Sequence, residues 1–481
     1  MTQLHDLTAL QQAAAVRAGE VSPTELVEHS LARIEALDAK LGAFITVTPE
    51  RALEAAGRAE SLVRRGGGHA GELPPLLGVP TAIKDLNNTA GIRTTFGSTV
   101  MTDFVPDADD AVVVKLAAAG TISLGKTNTP EFGFPCYTDN GLVGPARCPW
   151  DPSRLAGGSS GGAAVAVASG MVPFAQGSDG GGSIRIPASI NGLFGIKPAR
   201  GRVSNAPYGG DVTGLGTNGP VARTVRDAAA MLDAIAGPVL GDPAWAPPLP
   251  SGESFLGYAD RTIGRLRIGR FRESAMPGVE LEPEVADAFE DASRLLESLG
   301  HDVEDVPSGL LGPDVLGSFE KVWALSGATL PVPPERAREL RPLTRELRSR
   351  GLAMSAQDAM QSMLTLRLFS RGFLHATAGY DVLLAPVVTM TPRPLGWFDA
   401  DGDGAEDFER QKRYAAFTAL FNVTGQPAVS VPLYWTADGL PVGTMLVGRP
   451  ADEATLIALS AQVEAARPWA HRHPVSWEDG R

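Results

Sequence analysis

The feature that most constrains this chain is an uncharged stretch between Arg154 and Asp179, followed at once by a second glycine-rich segment. The stretch contains GGSSGG at 157–162, and GGGSIR follows at 180–185. A segment without charged side chains can be buried deeply. Repeated glycines indicate unusual backbone conformations or a backbone that lies close to a ligand. A serine held among outward-pointing backbone N–H groups is typical of acyl-transfer sites, so this segment is the first place to look for chemistry.

Periodic segments before this stretch indicate an α/β protein. An apolar run at 76–83 reads as a short buried strand that ends at Lys84. A helix is predicted at 108–119, and a second strand follows it at 121–125. Strands that alternate with helices favour a layered sheet. In such folds the catalytic and ligand-binding residues lie in the loops at the strand ends.

The C-terminal half continues the mixture of helices and strands. Its predicted elements are a predominantly helical stretch at 313–378, an acidic glycine-rich loop at 397–409, a helix at 411–422, and strands at 428–433 and 442–447.

Composition narrows the class of protein. The formal net charge is 42 − 55 = −13, which disfavours nucleic acid or an anionic membrane as a partner. Two cysteines, Cys136 and Cys148, are too few for a disulfide framework, and we expect free thiols in a reducing cytoplasm. The N-terminus lacks the basic start and apolar run of a signal peptide, and no stretch is typical of a membrane span.

A serine nucleophile needs a base, and the sequence offers two kinds. Seven histidines are present, but none lies between residues 70 and 300, where both serine clusters occur. Lys84 is the other candidate, because burial at a strand end would lower its pKa from about 10.4. Holding it neutral near pH 7 requires roughly 4 kcal/mol of differential interaction. Asp85 would oppose this if it pointed inward, and a lysine at a strand end is also a common surface charge.

Other known catalytic and binding motifs fit this sequence poorly or do not occur in it. Gly157–Gly161 fits G-x-S-x-G, the nucleophile elbow, but an elbow follows an apolar strand, and residues 149–156 are polar and interrupted by proline. Neither a P-loop nor a dinucleotide fingerprint occurs. No His/Cys pattern has metal-ligand spacing, so no metal is expected.

Several segments together resemble the signature of the amidase signature family, serine hydrolases with a Ser–cis-Ser–Lys triad. The separations of 75 residues from Lys84 to Ser159, and of 24 from Ser159 to Ser183, fit that family. The matching pieces are Gly78-Val79-Pro80, Lys84-Asp85, Gly125–Asn128, Pro149-Trp150-Asp151, Gly157–Gly162, Ser178–Arg185, Gly195–Pro198 and Gly425–Ala428.

The resemblance implies an architecture. It is a single α/β domain over 1–481, with a central mixed β-sheet covered by helices on both faces. A signature core spans about 70–225, and a helical insertion at about 272–400 shapes the substrate pocket.

The resemblance also implies a role for each motif residue. Ser183 would be the nucleophile, Ser159 the proton relay in a cis peptide, and Lys84 the neutral base. The remaining assignments are an oxyanion hole of backbone N–H groups at Gly180, Gly181, Gly182 and Ser183, a pocket lined by Gly133 and Phe134, and a structural role for Asp179 and Arg185. The chain departs from common family versions at Phe134-Pro135-Cys136 and at Cys148, where asparagine is frequent.

The function implied is an amidohydrolase that cleaves the C–N bond of a small-molecule amide without metal or cofactor. Esters, anilides or carbamates present the same carbonyl and are possible further substrates. The enzyme is expected in the cytoplasm as a possible homodimer, without a nucleic-acid or membrane partner. The alternatives are a glutamine amidotransferase component that acts on mischarged tRNA, and a non-catalytic binding protein.

Overall fold

The strands of this protein form two sheets that meet at the predicted serine segment. A computed structural model describes residues 3–66, 73–207, 209, 212–312 and 314–478. The strands are β1 (Phe44–Val47), β2 (Pro80–Lys84), β3 (Ile122–Thr127), β4 (Phe174–Asp179), β5 (Phe194–Lys197), β6 (Thr217–Ala222), β7 (Arg267–Arg270), β8 (Asp302–Asp305), β9 (Val382–Pro386), β10 (Ala428–Trp435) and β11 (Pro441–Gly448).

Helices connect and cover these strands. They are α1 (Ala9–Ala18), α2 (Pro23–Leu41), α3 (Pro49–Arg65), α4 (Ala111–Ala118), α5 (Gly161–Ala168), α6 (Arg185–Ile190), α7 (Val225–Ile235), α8 (Phe255–Tyr258), α9 (Pro283–Ser298), α10 (Asp314–Ala328), α11 (Pro342–Leu352), α12 (Ala356–Ala376), α13 (Gly404–Tyr414), α14 (Leu420–Val423) and α15 (Glu453–Ala466).

The larger sheet is mixed, as the family resemblance implied. Its strand order is β4-β6-β5-β10-β11-β9-β7-β8, with antiparallel pairs from β4 to β9 and parallel pairs at β9-β7 and β7-β8. Side chains alternate between its faces. Leu446 packs into a cluster with α7, α9 and α15, whereas Met445 and Val447 pack into another with α6. Helices therefore cover both faces of one α/β domain.

The strand that carries Lys84 lies outside this larger sheet. It belongs to a three-stranded sheet of order β1-β3-β2, in which β2 and β3 are parallel. Side chains of the two sheets join them: the Lys84 backbone N–H donates to Gln176 Oε1 at 2.9 Å, and Thr81 Oγ1 donates to the Phe174 carbonyl at 3.3 Å. The ends of β2 and β4 therefore lie side by side.

Helix α5 occupies the position that the uncharged stretch predicts. All eight of its residues are buried. A Cβ atom at Gly162 would overlap the backbone of Asn128 and Ala43, so only glycine permits this close approach. Small side chains thus let α5 pack tightly, and the loop before it, with Ser159 and Ser160, lies deep in the fold.

Some predicted elements differ from the observed ones. The run at 76–83 begins as a turn and becomes a strand only at Pro80. The predicted loop at 397–409 and helix at 411–422 are wrong in their bounds, because α13 already begins at Gly404 and the chain leaves helical geometry after Tyr414. The side chain of Asp403 accepts hydrogen bonds from the Ala405 and Glu406 N–H groups and so caps α13, a signal that the acidic composition concealed. The helical prediction for 313–378 is confirmed by α10, α11 and α12.

Candidate active site

Lys84 and the serine clusters meet where β2, the loop before α5 and the loop after β4 converge. The Lys84 Nζ atom lies 2.8 Å from Ser159 Oγ, 2.9 Å from Ser160 Oγ and 3.0 Å from Ser178 Oγ. The Ser160 N–H donates to the Ser183 carbonyl at 3.1 Å, which holds the two serine loops against each other. The Gly158–Ser159 peptide is cis, in agreement with the resemblance. The structure thus places Lys84 against Ser159, and it holds the backbone of Ser183 one hydrogen bond away from the neighbouring Ser160.

Burial controls the charge of Lys84. Its side chain has no exposed surface. Burial lowers the Lys84 pKa to about 7, and the negative charge of Asp179 opposes this shift. The neighbouring Asp85 turns away, because it forms an ion pair with Lys126 at 3.3 Å and accepts from Thr95. A substantial fraction of Lys84 is therefore neutral at pH 7 and can accept a proton.

The loop after β4 presents candidate donors for an oxyanion. The Gly182 N–H already donates to Asp179 Oδ1 at 2.8 Å, so it is committed to the loop itself. Within the described residues, the N–H groups of Gly180, Gly181 and Ser183 have no hydrogen-bond acceptor. Of the predicted set, these three are the donors that the geometry leaves available to a substrate oxygen.

A buried network fixes this loop from the C-terminal half of the chain. Arg185 pairs with Asp179 at 2.8 Å and also donates to the Asn422 side chain at 2.6 Å. Burial raises the pKa of Asp179, but the Arg185 guanidinium outweighs it and holds that pKa well below its usual range. Thr418 Oγ1 donates to the Gly181 carbonyl at 2.6 Å. Gly182 has φ +137°, and a Cβ atom there would overlap the Thr418 side chain, so the loop conformation requires glycine.

A cavity opens beside Ser183, which is 8% exposed. Its volume is about 110 Å³. Phe134 and Cys136 line it, as the resemblance implied for Phe134. Gly133 is not part of this lining and lies behind it, where a Cβ atom would be 3.2 Å from Ser159 Oγ. The opposite wall comes from α10, which lies in the insertion that the resemblance implied for the pocket, and from 408–423, which no motif marks.

Helix α13 holds the wall at residues 134–137 in place. The Cys136 N–H donates to Gln411 Oε1 at 2.8 Å, and Gln411 Nε2 donates to Asp407 Oδ1 at 2.7 Å. Tyr137 Oη donates to the other oxygen of Asp407 at 2.8 Å. Burial raises the pKa of Asp407 to about 6, because the hydrogen bonds from Gln411 and Tyr137 offset only part of its desolvation. Both cysteines are free, as predicted.

The other residues that sequence analysis considered lie elsewhere. Of the described histidines, none lines the cavity at Ser183, and His69 lies outside the described residues. Within the described ranges, no three His, Cys, Asp or Glu side chains form a group that could hold a metal ion. In the same part of the chain, no helix combines the length and apolar character needed to cross a bilayer.

A buried lysine that is hydrogen-bonded to serines, beside an apolar cavity on an α/β fold, has the parts that acyl transfer needs. The family model named Amidase matches residues 25–457, and the chain belongs to that family. The Mycobacterium tuberculosis protein named "Putative amidase AmiB2" is 40% identical over 98% of this chain and 99% of its own length.

Solved structures agree with this placement. A structure of 6-aminohexanoate cyclic dimer hydrolase complexed with substrate matches with a TM-score of 0.89 and 32% identity, over 99% of this chain and 100% of that one. A glutamyl-tRNA(Gln) amidotransferase component from Thermotoga maritima matches with a TM-score of 0.75 and 28% identity, over 97% and 96%. The chain is therefore an enzyme of the class that hydrolyses amide carbon–nitrogen bonds.

Proposed function

We propose that this enzyme hydrolyses the C–N bond of a carboxylic amide through an acyl-enzyme on Ser183. The observation that carries the proposal is the 2.8 Å contact between the buried Lys84 amine and Ser159 Oγ, below a cavity that opens at Ser183. A neutral lysine beside a serine relay is a base for a serine nucleophile, and no histidine is needed.

The chemistry proceeds in two halves. In the first, Lys84 takes the Ser159 proton while Ser159 takes the proton of Ser183, and Ser183 Oγ bonds to the carbonyl carbon. The N–H groups of Gly180, Gly181 and Ser183 stabilise the resulting oxyanion. The C–N bond then breaks, and the proton returns through Ser159 to the departing amine. In the second half a water molecule attacks the acyl-enzyme by the same proton path, which releases the carboxylic acid and restores Ser183.

Three variants test this assignment. Ser183→Ala and Lys84→Ala should each lower amide hydrolysis by at least about a thousandfold, because nucleophile and base act as a unit. Ser153→Ala, at an exposed serine, is the matched control and should keep wild-type activity. Amide hydrolysis near the wild-type rate by either of the first two variants would refute the mechanism.

The same carbonyl chemistry extends the proposal to activated esters, anilides and carbamates, each of which presents its oxygen to the same donors. We assign the helical insertion at about 272–400 to the substrate pocket, because Phe319 and Trp323 of α10 line the cavity. The two free thiols support a reducing compartment, and we place the enzyme in the cytoplasm.

An amidotransferase role is the second candidate. The fold similarity to the glutamyl-tRNA(Gln) amidotransferase component favours it, although that TM-score of 0.75 is below the 0.89 of the cyclic dimer hydrolase. Such a component works on glutamine with partner proteins, so a glutaminase assay on the purified chain separates the two roles. Size-exclusion chromatography with light scattering on the same sample tests the proposed homodimer. The intact Lys84, Ser159 and Ser183 cluster argues against a purely binding role.

A further inference from the structure

The cavity beside Ser183 is apolar and small. Only Glu273 and Lys412 carry charge among its lining residues in the described part of the chain. Its volume of about 110 Å³ approaches that of engineered apolar cavities of about 150 Å³ that bind benzene. It therefore suits one aromatic ring or a short alkyl chain. The apolar walls include Phe134, Leu311, Leu316, Phe319, Trp323 and Phe408.

Trp323 connects this apolar wall to the reacting centre. Its ring packs edge-on against Phe134 at 5.8 Å and stacks on Phe319 at 5.6 Å between centroids. The same indole lies over the oxyanion loop, since a Cβ atom on Gly180 would be 3.3 Å from it and one on Gly181 would be 3.8 Å away. A substituent attached to the scissile carbonyl or its nitrogen therefore meets Trp323 while the carbonyl oxygen meets the loop.

The charges at the cavity disfavour an anionic substituent. Lys412 Nζ donates to Glu320 Oε1 at 2.6 Å and to Glu409 Oε1 at 2.5 Å, so two carboxylates already neutralise it. Glu273 adds a third negative charge, and one of its oxygens accepts from the Gly309 and Leu310 N–H groups. A substrate carboxylate would lose its hydration here without gaining a free cation, which is unfavourable.

We propose that the substrate is an amide with an uncharged, apolar substituent, an aryl group or a short alkyl chain, that packs on Trp323. An amide that places a carboxylate in the same position is a poorer substrate. This inference rests on the proposed amide hydrolysis and adds the chemical class of the substrate.

Two matched pairs of anilides test this preference on the wild-type enzyme. On the acyl side, hexanoyl 4-nitroanilide is compared with adipoyl mono-4-nitroanilide, which has the same chain length but ends in a carboxylate. On the amine side, acetanilide is compared with 4-acetamidobenzoate. We expect kcat/KM to favour the uncharged member of at least one pair by about tenfold or more. A smaller preference in both pairs, or a preference for the carboxylate, overturns the inference.

A fluorophosphonate probe distinguishes a wrong substrate class from a wrong proposed function. Absence of labelling at Ser183 together with no hydrolysis of any anilide would overturn the amidase mechanism. Labelling at Ser183 with equal hydrolysis of both members of each pair would overturn only the substrate class.

Variants test the two physical causes separately. Trp323→Ala should lower kcat/KM for the uncharged anilide by about tenfold or more, since the lost indole contact is large. The rate at which the fluorophosphonate probe labels Ser183 in the same variant serves as the reference for this loss. Trp245→Ala, which removes an exposed tryptophan, is the matched control and should change it less than about twofold. The double variant Glu320→Gln/Glu409→Gln frees Lys412 and should reduce the preference against the carboxylate about fivefold. The assignment would be contradicted if Trp323→Ala kept the wild-type kcat/KM relative to its labelling rate and the double variant kept the wild-type preference for the uncharged anilide.

Discussion

The buried position of Lys84 predicts how activity depends on pH. Lowering its pKa from 10.5 to about 7 corresponds to roughly 5 kcal/mol in favour of the neutral amine. About half of the lysine should then be neutral at pH 7, about a tenth at pH 6 and about a hundredth at pH 5. Because only the neutral form accepts the proton of Ser159, kcat/KM for an uncharged amide should rise about tenfold from pH 5 to pH 6 and level off above pH 8.

The assay is kcat/KM against pH from 5 to 9, with far-UV circular dichroism at each pH to confirm that the fold persists. Asp407 is one confounding group, because its pKa of about 6 lies close to that of Lys84 and its helix lines the cavity. Lys197 is another, because burial lowers its pKa to about 7 as well. An Asp407→Asn variant removes the carboxyl titration and should keep the acid limb near pH 7. A flat profile between pH 5 and 8, or loss of the limb in Asp407→Asn, would refute the role of Lys84.

Two further variants probe the network that holds the oxyanion loop. Arg185→Met leaves Asp179 buried without its cation and should lower the free energy of unfolding by about 3–5 kcal/mol in urea denaturation, whereas Arg226→Met, at an exposed ion pair, should change it by less than about 1 kcal/mol. Equal effects would contradict a structural role for Arg185. Thr418→Val removes the hydroxyl that donates to Gly181 and should lower kcat about tenfold with little change in KM, as steady-state kinetics can measure; a rise in KM alone would contradict positioning of the loop.

The family resemblance, together with one local pattern, predicted part of the site. The resemblance implied that Lys84 and Ser159 lie together, in agreement with their 2.8 Å contact, and the uncharged stretch before Asp179 predicted the burial of α5. The structural role expected for Asp179 and Arg185 agrees with their buried ion pair. These features can be predicted because glycine, serine and the absence of charge form patterns among residues that are close in sequence.

Long-range contacts could not be predicted in the same way. Thr418 donates to a residue 237 positions earlier, and Trp323 on α10 lies over Gly180 in the loop after β4. No local pattern marks either residue. The hydrogen bond from Gly182 to Asp179, which removes one predicted oxyanion donor, depends on a loop geometry that composition does not specify. The start of α13 was misplaced because acidic residues that stabilise a helix N-terminus also occur in loops.

The central claim is that Ser183, activated through Ser159 by a neutral Lys84, forms the covalent acyl intermediate. Its most direct test is rapid acid quenching of turnover with an activated ester, followed by peptide mass spectrometry of the enzyme. The account predicts one acyl adduct, on the peptide that contains Ser183, which Lys84→Ala forms far more slowly. An adduct on Ser159 or Ser160 in place of Ser183, or turnover with no covalent adduct, would contradict it.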